Sequence, residues 1–518
     1  MKKYSLKKAV PLLILLAGLT LLFAFSVQQL VGRGHFGALH LRHWRSDPGL
    51  GHAPFWLALG ASFLPLAWLL LKTWARKGFA EFSAPGIHHY YNDDRLGAKR
   101  IHLRIEKNRD SILMIDAYRV VHLNPTATLM TKYFLDGYHE DDIGVELAQR
   151  FRVPKRRVLQ NYRDTIEKIR RLITRDDICP ISYFDVDKID AFQTPVSAPY
   201  RMDLALTYRC NIACSHCYNQ RRDSPELTTD LWRQILKILW DAGIPHVVFT
   251  GGEATLRDDL AELIGYAEDL GMITGLLTNG VTLADASFVD RLQRAGLDYV
   301  QFTLESADAA VHNRMVHSRS FAKTVKGIEN VVARSIHVIT NTTITRDNVA
   351  GIGKLVPFLK KLGVRSMAVN SIINAGRARH KDFGVSEKKL LPIVTRLRNE
   401  ANRRGLKFTW YTPTRYCEFN PVENDLGVKQ CTAGKYNLAI EPDGTVIPCQ
   451  SFYRPLGHIL RDRWSAIYES EFLESLRRRD WALDKCRQGC EWLASCGCGC
   501  PLQITQDQFC CPDLLSNP

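Results

Sequence analysis

The sequence has no long low-complexity tract and no convincing internal repeat, although it is 518 residues long. The first absence argues against a largely disordered chain, and the second argues against a repeat architecture. Hydrophobic residues make up 46% of the chain, which is enough to form real cores. The length allows two to four domains.

Acidic residues are nearly absent from the first 80 positions, which hold Asp47 and ten basic residues. This segment supplies +9 of the net charge of +15, and its basic residues flank two uncharged runs, residues 9–31 and 53–71. Basic residues beside apolar runs are typical of membrane segments. The remaining +6 is spread over the rest of the chain, so no nucleic-acid partner is expected.

Each uncharged run is long enough to cross a ~30 Å hydrocarbon core as a helix. A cleaved signal peptide is the alternative for the first run, and a buried helical hairpin is the alternative for the second. The ends of the segment carry seven basic residues and the loop carries three, which favours cytoplasmic termini. We therefore expect residues 1–80 to anchor a multi-pass cell-membrane protein with its catalytic domains in the cytoplasm.

Cysteine is scarce before residue 417, where only Cys179 and a group of three are found. The group is Cys210, Cys214 and Cys217, in the C-x3-C-x2-C pattern YRCNIACSHCY. Three thiolates can hold three corners of a four-iron cube and leave one iron open, whereas electron-transfer clusters are normally closed by four cysteines. A zinc site completed by His216 is the alternative. Such clustered cysteines favour metal ligands in a reducing compartment over disulfides.

Strand-like and helix-like segments alternate from Arg201 onward, which predicts a parallel sheet of five or six strand–helix units. Every unusual polar motif follows a strand directly, where barrel enzymes carry their active sites. The cysteine motif, followed by Gly251-Gly252-Glu253, resembles the radical S-adenosylmethionine (SAM) superfamily.

That resemblance implies a partial (βα)6 barrel over residues 200–411. In this family the open iron binds the amino and carboxylate groups of SAM, and the reduced cluster cleaves SAM to methionine and a 5′-deoxyadenosyl radical. The radical then takes a hydrogen atom from the substrate. The family often has Pro after the Gly-Gly-Glu sequence, where this chain has Ala254.

The resemblance also implies SAM-contacting residues. The two glycines would permit close backbone approach, and Glu253 would accept hydrogen bonds from the methionine ammonium. Tyr218 would lie beside the adenine. The other expected contacts are Asn279, Thr303, Glu305, Ser306 and Arg346, with Asn341 and the turn around Gly376 as weaker candidates. No catalytic acid or base is identified.

Ten cysteines lie between Cys417 and Cys511. Their pattern, C-x12-G-x4-C, a gap and C-x3-C-x5-C-x3-C, resembles the SPASM extension of radical SAM peptide maturases; zinc knuckles are the alternative. The resemblance implies two auxiliary clusters in residues 417–518, one bound by Cys417, Cys431, Cys449 and Cys500, and one bound by Cys486, Cys490, Cys496 and either Cys510 or Cys511. Gln450 stands where sulfatase-maturating relatives have an acid, which argues against that activity.

The sequence pattern of residues 98–175 predicts two short strands followed by three helices. Together these would form a small winged-helix-like α+β domain. The segment VVHLNPTATLMTKYFLDG resembles the peptide-recognition domain of the pyrroloquinoline-quinone chaperone family, which adds a leader peptide to a sheet edge. A spacer domain and a DNA-binding helix-turn-helix using Lys155, Arg156 and Arg157 are the alternatives.

Together these features predict a membrane-anchored radical SAM enzyme that modifies a ribosomally made peptide, with a flavodoxin or ferredoxin as reductant. Radical chemistry on a tetrapyrrole or quinone precursor is one alternative function. A membrane-tethered iron–sulfur redox sensor is another.

Overall fold

The computed structural model describes residues 84–93, 98–115, 119–174, 196–219, 224–334, 336–379 and 382–503. By their internal contacts, these residues fall into two compact units. Of the described residues, the smaller unit holds 84–85, 107–110 and 124–167, and the larger holds 86–106, 111–123 and those from residue 168 onward. The predicted domain 98–175 is thus divided between the two units, and its boundaries stay a prediction.

A four-stranded antiparallel sheet comes first in the described chain. Its strands, paired in sequence order, are β1 Gly86–Asp93, β2 Ala98–Ile105, β3 Ser111–Ile115 and β4 Arg119–Leu123. The sequence predicts only β3 and β4. The signal for β2 was present, because apolar residues alternate there with Arg and His at the period of a strand.

The three predicted helices of this region are confirmed as α1 Pro125–Leu135, α2 Glu140–Phe151 and α3 Lys155–Thr174. Asn124 caps α1, because its side-chain oxygen accepts a hydrogen bond from the Ala127 N–H at 2.9 Å. Pro125 follows in the first helical position, where its missing N–H costs nothing. Gly137, two residues after the end of α1, has a left-handed backbone with a φ of +76°, as is common after helix ends.

A ten-stranded sheet forms the centre of the larger unit in the described chain. Its strands are β5 Arg201–Thr207, β6 His246–Gly251, β7 Ile273–Thr278, β8 Tyr299–Thr303, β9 His337–Ile344, β10 Ser366–Ser371, β11 Lys407–Trp410, β12 Asn437–Ile440, β13 Thr445–Ile447 and β14 Gly457–His458. Strands β5 to β11 are parallel and neighbour one another in sequence order. The predicted strand–helix alternation is confirmed. β11 and β14 stand at the two ends of the strand order and are not paired with each other, so the described sheet is open, as in a partial barrel.

Helices connect and follow these strands. They are α4 Thr229–Asp241, α5 Leu260–Leu270, α6 Ala286–Arg294, α7 Ala309–Val316, α8 Phe321–Val332, α9 Leu355–Lys361, α10 Glu387–Arg403, α11 Trp464–Tyr468, α12 Glu471–Arg478, α13 Asp484–Arg487 and α14 Leu493–Cys496. The segment predicted to form the auxiliary domain contributes β12, which pairs in parallel with β5. The cysteine-rich segment and the barrel therefore share one hydrogen-bonded sheet.

The two faces of the parallel strands differ in polarity. Alternate residues such as Leu204 and Phe249 pack into the core between sheet and helices and are fully buried. The opposite face carries polar groups, as in β5, where Arg201 Nε lies 3.0 Å from Asp203 Oδ1. The interior of a closed barrel is normally packed with branched apolar side chains. This polar inner face is instead suited to a polar ligand.

The polar side of β2 packs against the amino-terminal ends of the barrel strands. Arg100 Nη1 donates to the Met272 carbonyl oxygen at 2.8 Å, next to β7. His102 Nε2 donates to the Gly271 carbonyl oxygen at 2.7 Å, and burial lowers the pKa of His102 to about 3. The imidazole is therefore neutral. The four-stranded sheet of β1 to β4, called the front sheet below, is held to the barrel by these buried hydrogen bonds.

No helix in the described ranges is both long and apolar enough to cross a membrane. The longest of them, α3, has 20 residues, but nine of these are charged, and charges are costly in hydrocarbon. On this finding, the two transmembrane helices in the predicted fold class and the predicted cell-membrane location are wrong. Residues 9–31 and 53–71, on which that prediction rested, lie outside the described residues.

Replacing Arg100 should weaken the attachment of the front sheet. Arg100 is ion-paired with Glu268 and with Asp298, the latter at 3.0 Å. Arg100→Met would leave both carboxylates without this cation, so we expect the free energy of unfolding to fall by about 2–4 kcal/mol. Thermal denaturation of the full chain measures the change. The matched control, Lys237→Met, removes an exposed pair with Asp241 and should cost below about 1 kcal/mol. Equal effects of the two variants would contradict the prediction.

Candidate active site

The loop after β5 carries the three cysteines of the C-x3-C-x2-C motif, all partly exposed. Its backbone is attached to the end of α7, because the Ala213 N–H donates to the Val316 carbonyl at 3.1 Å. The Ser215 N–H donates to the Met315 carbonyl at 2.9 Å. The loop is thus fixed by backbone contacts that do not depend on the thiols.

Gly251 and Gly252 bring the end of β6 against the base of this cysteine loop. A Cβ atom on Gly251, whose φ is +131°, would collide with the Thr207 carbonyl, and one on Gly252 would collide with the Arg209 carbonyl. Without those atoms, the Gly252 N–H donates to the Thr207 carbonyl at 2.7 Å. The sequence predicts close approach at these glycines, and the structure shows that they allow approach to the cysteine loop.

The Glu253 carboxylate holds the ends of β6 and β7 together. It accepts hydrogen bonds from the Thr255 hydroxyl at 2.7 Å, the Thr278 hydroxyl at 2.8 Å and the Asn279 N–H at 2.8 Å, and a fourth from the Thr255 N–H at 3.2 Å. Burial raises the pKa of Glu253, and these hydrogen bonds oppose the rise. Four donors fill the usual acceptor capacity of a carboxylate. The expected contact with a ligand ammonium therefore stays a prediction.

Two further strand ends reach the cysteine loop through polar side chains. The Asn279 amide, after β7, donates to the Asn211 side-chain oxygen at 2.7 Å. After β8, Glu305 Oε1 lies 2.9 Å from His216 Nε2, and Glu305 Oε2 accepts from the Thr343 N–H at 2.9 Å. Burial opposes a charged imidazole, but the neighbouring carboxylate raises the pKa of His216 above its usual value. His216 is thus paired with a carboxylate, which disfavours the zinc alternative.

Three other residues predicted to contact SAM, Thr303, Ser306 and Arg346, differ in their surroundings. Thr303 is the last residue of β8 and is partly exposed. Ser306 is buried, and its hydroxyl accepts from the Asp308 N–H at 3.0 Å in the turn before α7. Arg346 lies 2.6 Å from Asp382 in an exposed ion pair. The structure therefore does not bring Arg346 into the contacts that surround the cysteine loop.

The turn after β10 closes on the same loop. A Cβ atom on Gly376, whose φ is +54°, would collide with the Tyr218 carbonyl, and the Arg377 N–H donates to the Cys217 carbonyl at 2.8 Å. Burial raises the pKa of the Cys214 thiol, and the Arg377 guanidinium opposes that rise. The sequence predicts only the turn around Gly376, although an Arg directly after such a glycine was a usable signal.

Tyr218 connects the cysteine loop with the cysteine-rich segment. Its hydroxyl donates to the Gln450 side-chain oxygen, and its carbonyl accepts from the Tyr453 hydroxyl at 3.2 Å. Burial raises the pKa of Tyr218, so the phenol stays protonated. Gln450 directly follows Cys449, a predicted cluster ligand. The sequence singles out Gln450 as the replacement of an acid but misses this hydrogen bond.

One group of thiols in the cysteine-rich segment is Cys431, Cys449 and Cys500. Burial is the main cause of their raised pKa values, and each thiol of the group also interacts with another. The pKa of Cys449 rises to about 12. All three are predicted ligands of the first auxiliary cluster. The fourth predicted ligand, Cys417, is exposed and interacts with Cys496 instead.

A second group lies near the start of α13. Burial is the main cause of the rise in the pKa of Cys486 to about 11, and the neighbouring thiols of Cys498 and Cys490 add to that rise. Cys510 and Cys511, either of which could complete the second predicted cluster, lie outside the described residues.

The donor chemistry of the cysteine loop fits an iron–sulfur cube. Three thiols share one loop, and the nearest imidazole is paired with Glu305. Within the described ranges, no three Cys, His, Asp or Glu side chains are arranged around a single metal ion. The ligands of a cube each bind a different iron, so they do not need to converge on one ion.

Comparison with known families agrees with this geometry. The family model of the radical SAM superfamily matches residues 204–355. The family model of the SPASM iron–sulfur cluster-binding domain matches residues 431–491.

Among curated proteins, a PqqA peptide cyclase of Streptomyces rochei is 30% identical over 329 residues, which cover 60% of this chain and 86% of that protein. A PqqA peptide cyclase of Ruegeria pomeroyi is 28% identical over 316 residues, which cover 58% of this chain and 81% of that protein.

Among solved structures, Streptococcus suis SuiB bound to its precursor peptide SuiA superposes with a TM-score of 0.60. The match covers 80% of this chain and 98% of SuiB at 16% identity, which establishes likeness of fold alone. The chain therefore belongs to the radical SAM superfamily, as an enzyme with a SPASM domain, and its cofactors are iron–sulfur clusters and S-adenosylmethionine.

Proposed function

We propose that this enzyme takes a hydrogen atom from a peptide precursor by SAM-derived radical chemistry, as a step in peptide maturation. The observation that carries the proposal is the convergence of the cysteine loop, the Gly251 turn and the Arg377 turn at one edge of the barrel. The relatives support a peptide substrate, since one group is named for cyclising a peptide and SuiB is bound to a precursor peptide.

The cysteines of the loop would hold the catalytic cluster, which supplies the electron that cleaves SAM. The contacts described above would give this chain's residues three roles. Gly251 and Gly252 keep the loop against β6, Arg377 supplies positive charge beside the thiols, and Tyr218 ties the loop to Gln450. A flavodoxin or ferredoxin would serve as the external reductant.

Two auxiliary clusters in residues 417–518 would accept the electron that leaves the oxidised product. The group Cys431, Cys449 and Cys500 supports the first, because the Cys500 thiol is close enough to Cys431 and Cys449 for both to contribute to its raised pKa, after burial. The group that contains Cys486 supports the second. The Tyr218–Gln450 hydrogen bond supports a short path between the catalytic loop and the first group, since Gln450 adjoins Cys449.

The polar inner face of the barrel would receive the part of the peptide that reacts. Asp203 is buried and paired with Arg201, and its charge acts on both Tyr218 and Cys449. Its carboxylate is therefore close enough to act electrostatically on one residue beside the catalytic loop and on one auxiliary thiol. A substrate side chain with a hydrogen-bond donor would be recognised there.

The front sheet would bind the leader part of the precursor within the proposed domain 98–175. In the order of the described strands, β4 stands at one end of the sheet beside β3. β1 forms the second edge, but it lies on the side where His89 packs against Gly271. This arrangement favours β4 as the docking edge.

Removal of one catalytic-loop thiol tests the radical chemistry. We expect Cys214→Ala to abolish formation of 5′-deoxyadenosine in anaerobic assays with dithionite and SAM, because the cluster loses a protein ligand. Liquid chromatography with mass spectrometry measures the nucleoside. Cys179→Ala, which removes a cysteine outside both motifs, should remain active. Undiminished 5′-deoxyadenosine in the Cys214 variant would refute the proposal.

Neutralisation of Asp203 tests whether the polar inner face of the barrel binds the substrate. Asp203→Asn keeps the shape of the side chain but removes its charge, so we expect peptide modification to fall about tenfold or more, as for loss of a charged hydrogen bond. SAM cleavage without peptide should be unchanged. The substrate for the assay is the product of a small peptide gene beside that of the enzyme, a gene that the proposed function predicts. The control is Asp230→Asn, whose side chain is 84% exposed. A parallel loss of both activities would argue against a role in substrate binding.

Hydrogen exchange tests the docking edge. On addition of the same precursor, amides of residues 119–123 should exchange more slowly, because an added strand would supply new hydrogen-bond partners. Amides of residues 86–93 should change little and serve as the internal control. Mass spectrometry of peptic fragments gives both rates. Protection of β1 with no change in β4 would assign docking to the other edge.

A further inference from the structure

A basic surface lies beside the cysteine loop, on the segment that joins α7 to α8. Residues 309–328 contain four lysine or arginine residues and no aspartate or glutamate. One of the four, Lys326, is paired with Glu329 at 3.6 Å. The other three are exposed and have no carboxylate at ion-pair distance within the described chain. These three residues, called the basic patch below, are Arg314, Arg319 and Lys323.

The basic patch is joined to the cysteine loop through the end of α7. The two loop N–H groups on either side of Cys214 donate to the carbonyls of Met315 and Val316 at 2.9 and 3.1 Å. Arg314 directly precedes these two residues, and Arg319 follows them by three positions. Neighbouring Cα atoms are about 3.8 Å apart, so both arginines start from backbone that adjoins the loop.

Lys323 belongs to the same surface because the start of α8 is tied back to α7. The Phe321 N–H donates to the Asn313 side-chain oxygen at 3.0 Å. The Ser318 N–H donates to the Asn313 carbonyl at 3.1 Å. The turn that carries the basic patch is thus fixed beside the loop of Cys214 by contacts that do not use the charged side chains.

Two other exposed arginines at the carboxyl ends of the strands are paired with acids. Arg209, directly after β5, lies 3.1 Å from Glu226. Arg346, after β9, lies 2.6 Å from Asp382. The charge of the basic patch has no such compensation among the described residues, so a partner with an acidic surface would find its counter-charges there.

We propose that the basic patch docks an acidic one-electron carrier protein, of the flavodoxin or ferredoxin class, which reduces the catalytic centre. Each cleavage of SAM consumes one electron. The carrier's reduced flavin or iron–sulfur group would lose that electron, and the centre held by the cysteine loop would gain it. Docking beside Cys214 would bring the two redox groups together, and the opposite charges would speed their encounter. This inference rests on the proposed function and adds the surface that its reductant uses.

Binding of flavodoxin to full-length variants tests the docking surface. The patch variant carries Arg314→Gln, Arg319→Gln and Lys323→Gln. The control has the same change of charge at exposed positions directly before β10, at the opposite end of the strands, and carries Lys360→Gln, Lys361→Gln and Arg365→Gln. In calorimetric titrations at low salt, we expect the Kd for flavodoxin to rise about tenfold in the patch variant and less than about twofold in the control. High salt should reduce the difference.

Formation of 5′-deoxyadenosine separates docking from radical chemistry. With flavodoxin and its reductase as the electron source, the patch variant should form the nucleoside more slowly than the control. Dithionite needs no docking surface, so it should support equal rates in both variants.

Three outcomes would each overturn the inference: equal flavodoxin affinity in the patch and control variants, equal loss in both, or loss of affinity for the precursor peptide instead of flavodoxin. The proposed function would still stand, provided that dithionite supports nucleoside formation. If the unaltered chain forms no 5′-deoxyadenosine with dithionite, the proposed function itself fails, whatever flavodoxin binds.

Discussion

The backbone contact between the end of β6 and the cysteine loop is the constraint on which the candidate active site depends. Two residues without Cβ atoms allow the Gly252 N–H to reach the Thr207 carbonyl at 2.7 Å. Glu253 follows directly and joins the same turn to the end of β7 through its hydrogen bonds. Any side chain at these glycines would separate the cysteine loop from the sheet. The ends of the other strands would then lose their contacts with that loop.

Buried polar groups hold the larger unit together on both ends of its parallel strands. At the amino-terminal ends, Arg100 and His102 bind backbone carbonyls and carboxylates. At the carboxyl ends, Glu253 and Glu305 each accept hydrogen bonds from the chain. A buried charge is costly unless it is paired, so each of these groups selects one arrangement of its neighbours. This gives the cysteine loop a defined position relative to the strand ends.

The cysteine-rich segment is joined to the barrel twice. β12 extends the parallel sheet beside β5, and the Tyr218 hydroxyl reaches Gln450 next to a predicted cluster ligand. Both contacts involve residues more than 200 positions apart in the chain.

Local patterns determined much of this protein. The spacing of the three loop cysteines, the Gly-Gly-Glu turn and the alternation of strands and helices depend on near neighbours, and they predicted the family and the barrel. Local hydropathy also predicted membrane helices, which the described chain does not contain. Only tertiary structure decided that the polar face of β2 is buried, that Glu305 pairs with His216 and that the Cys496 thiol reaches the Thr414 carbonyl. Each of these depends on which distant groups meet a side chain, and that partner is set by packing rather than by adjacent residues.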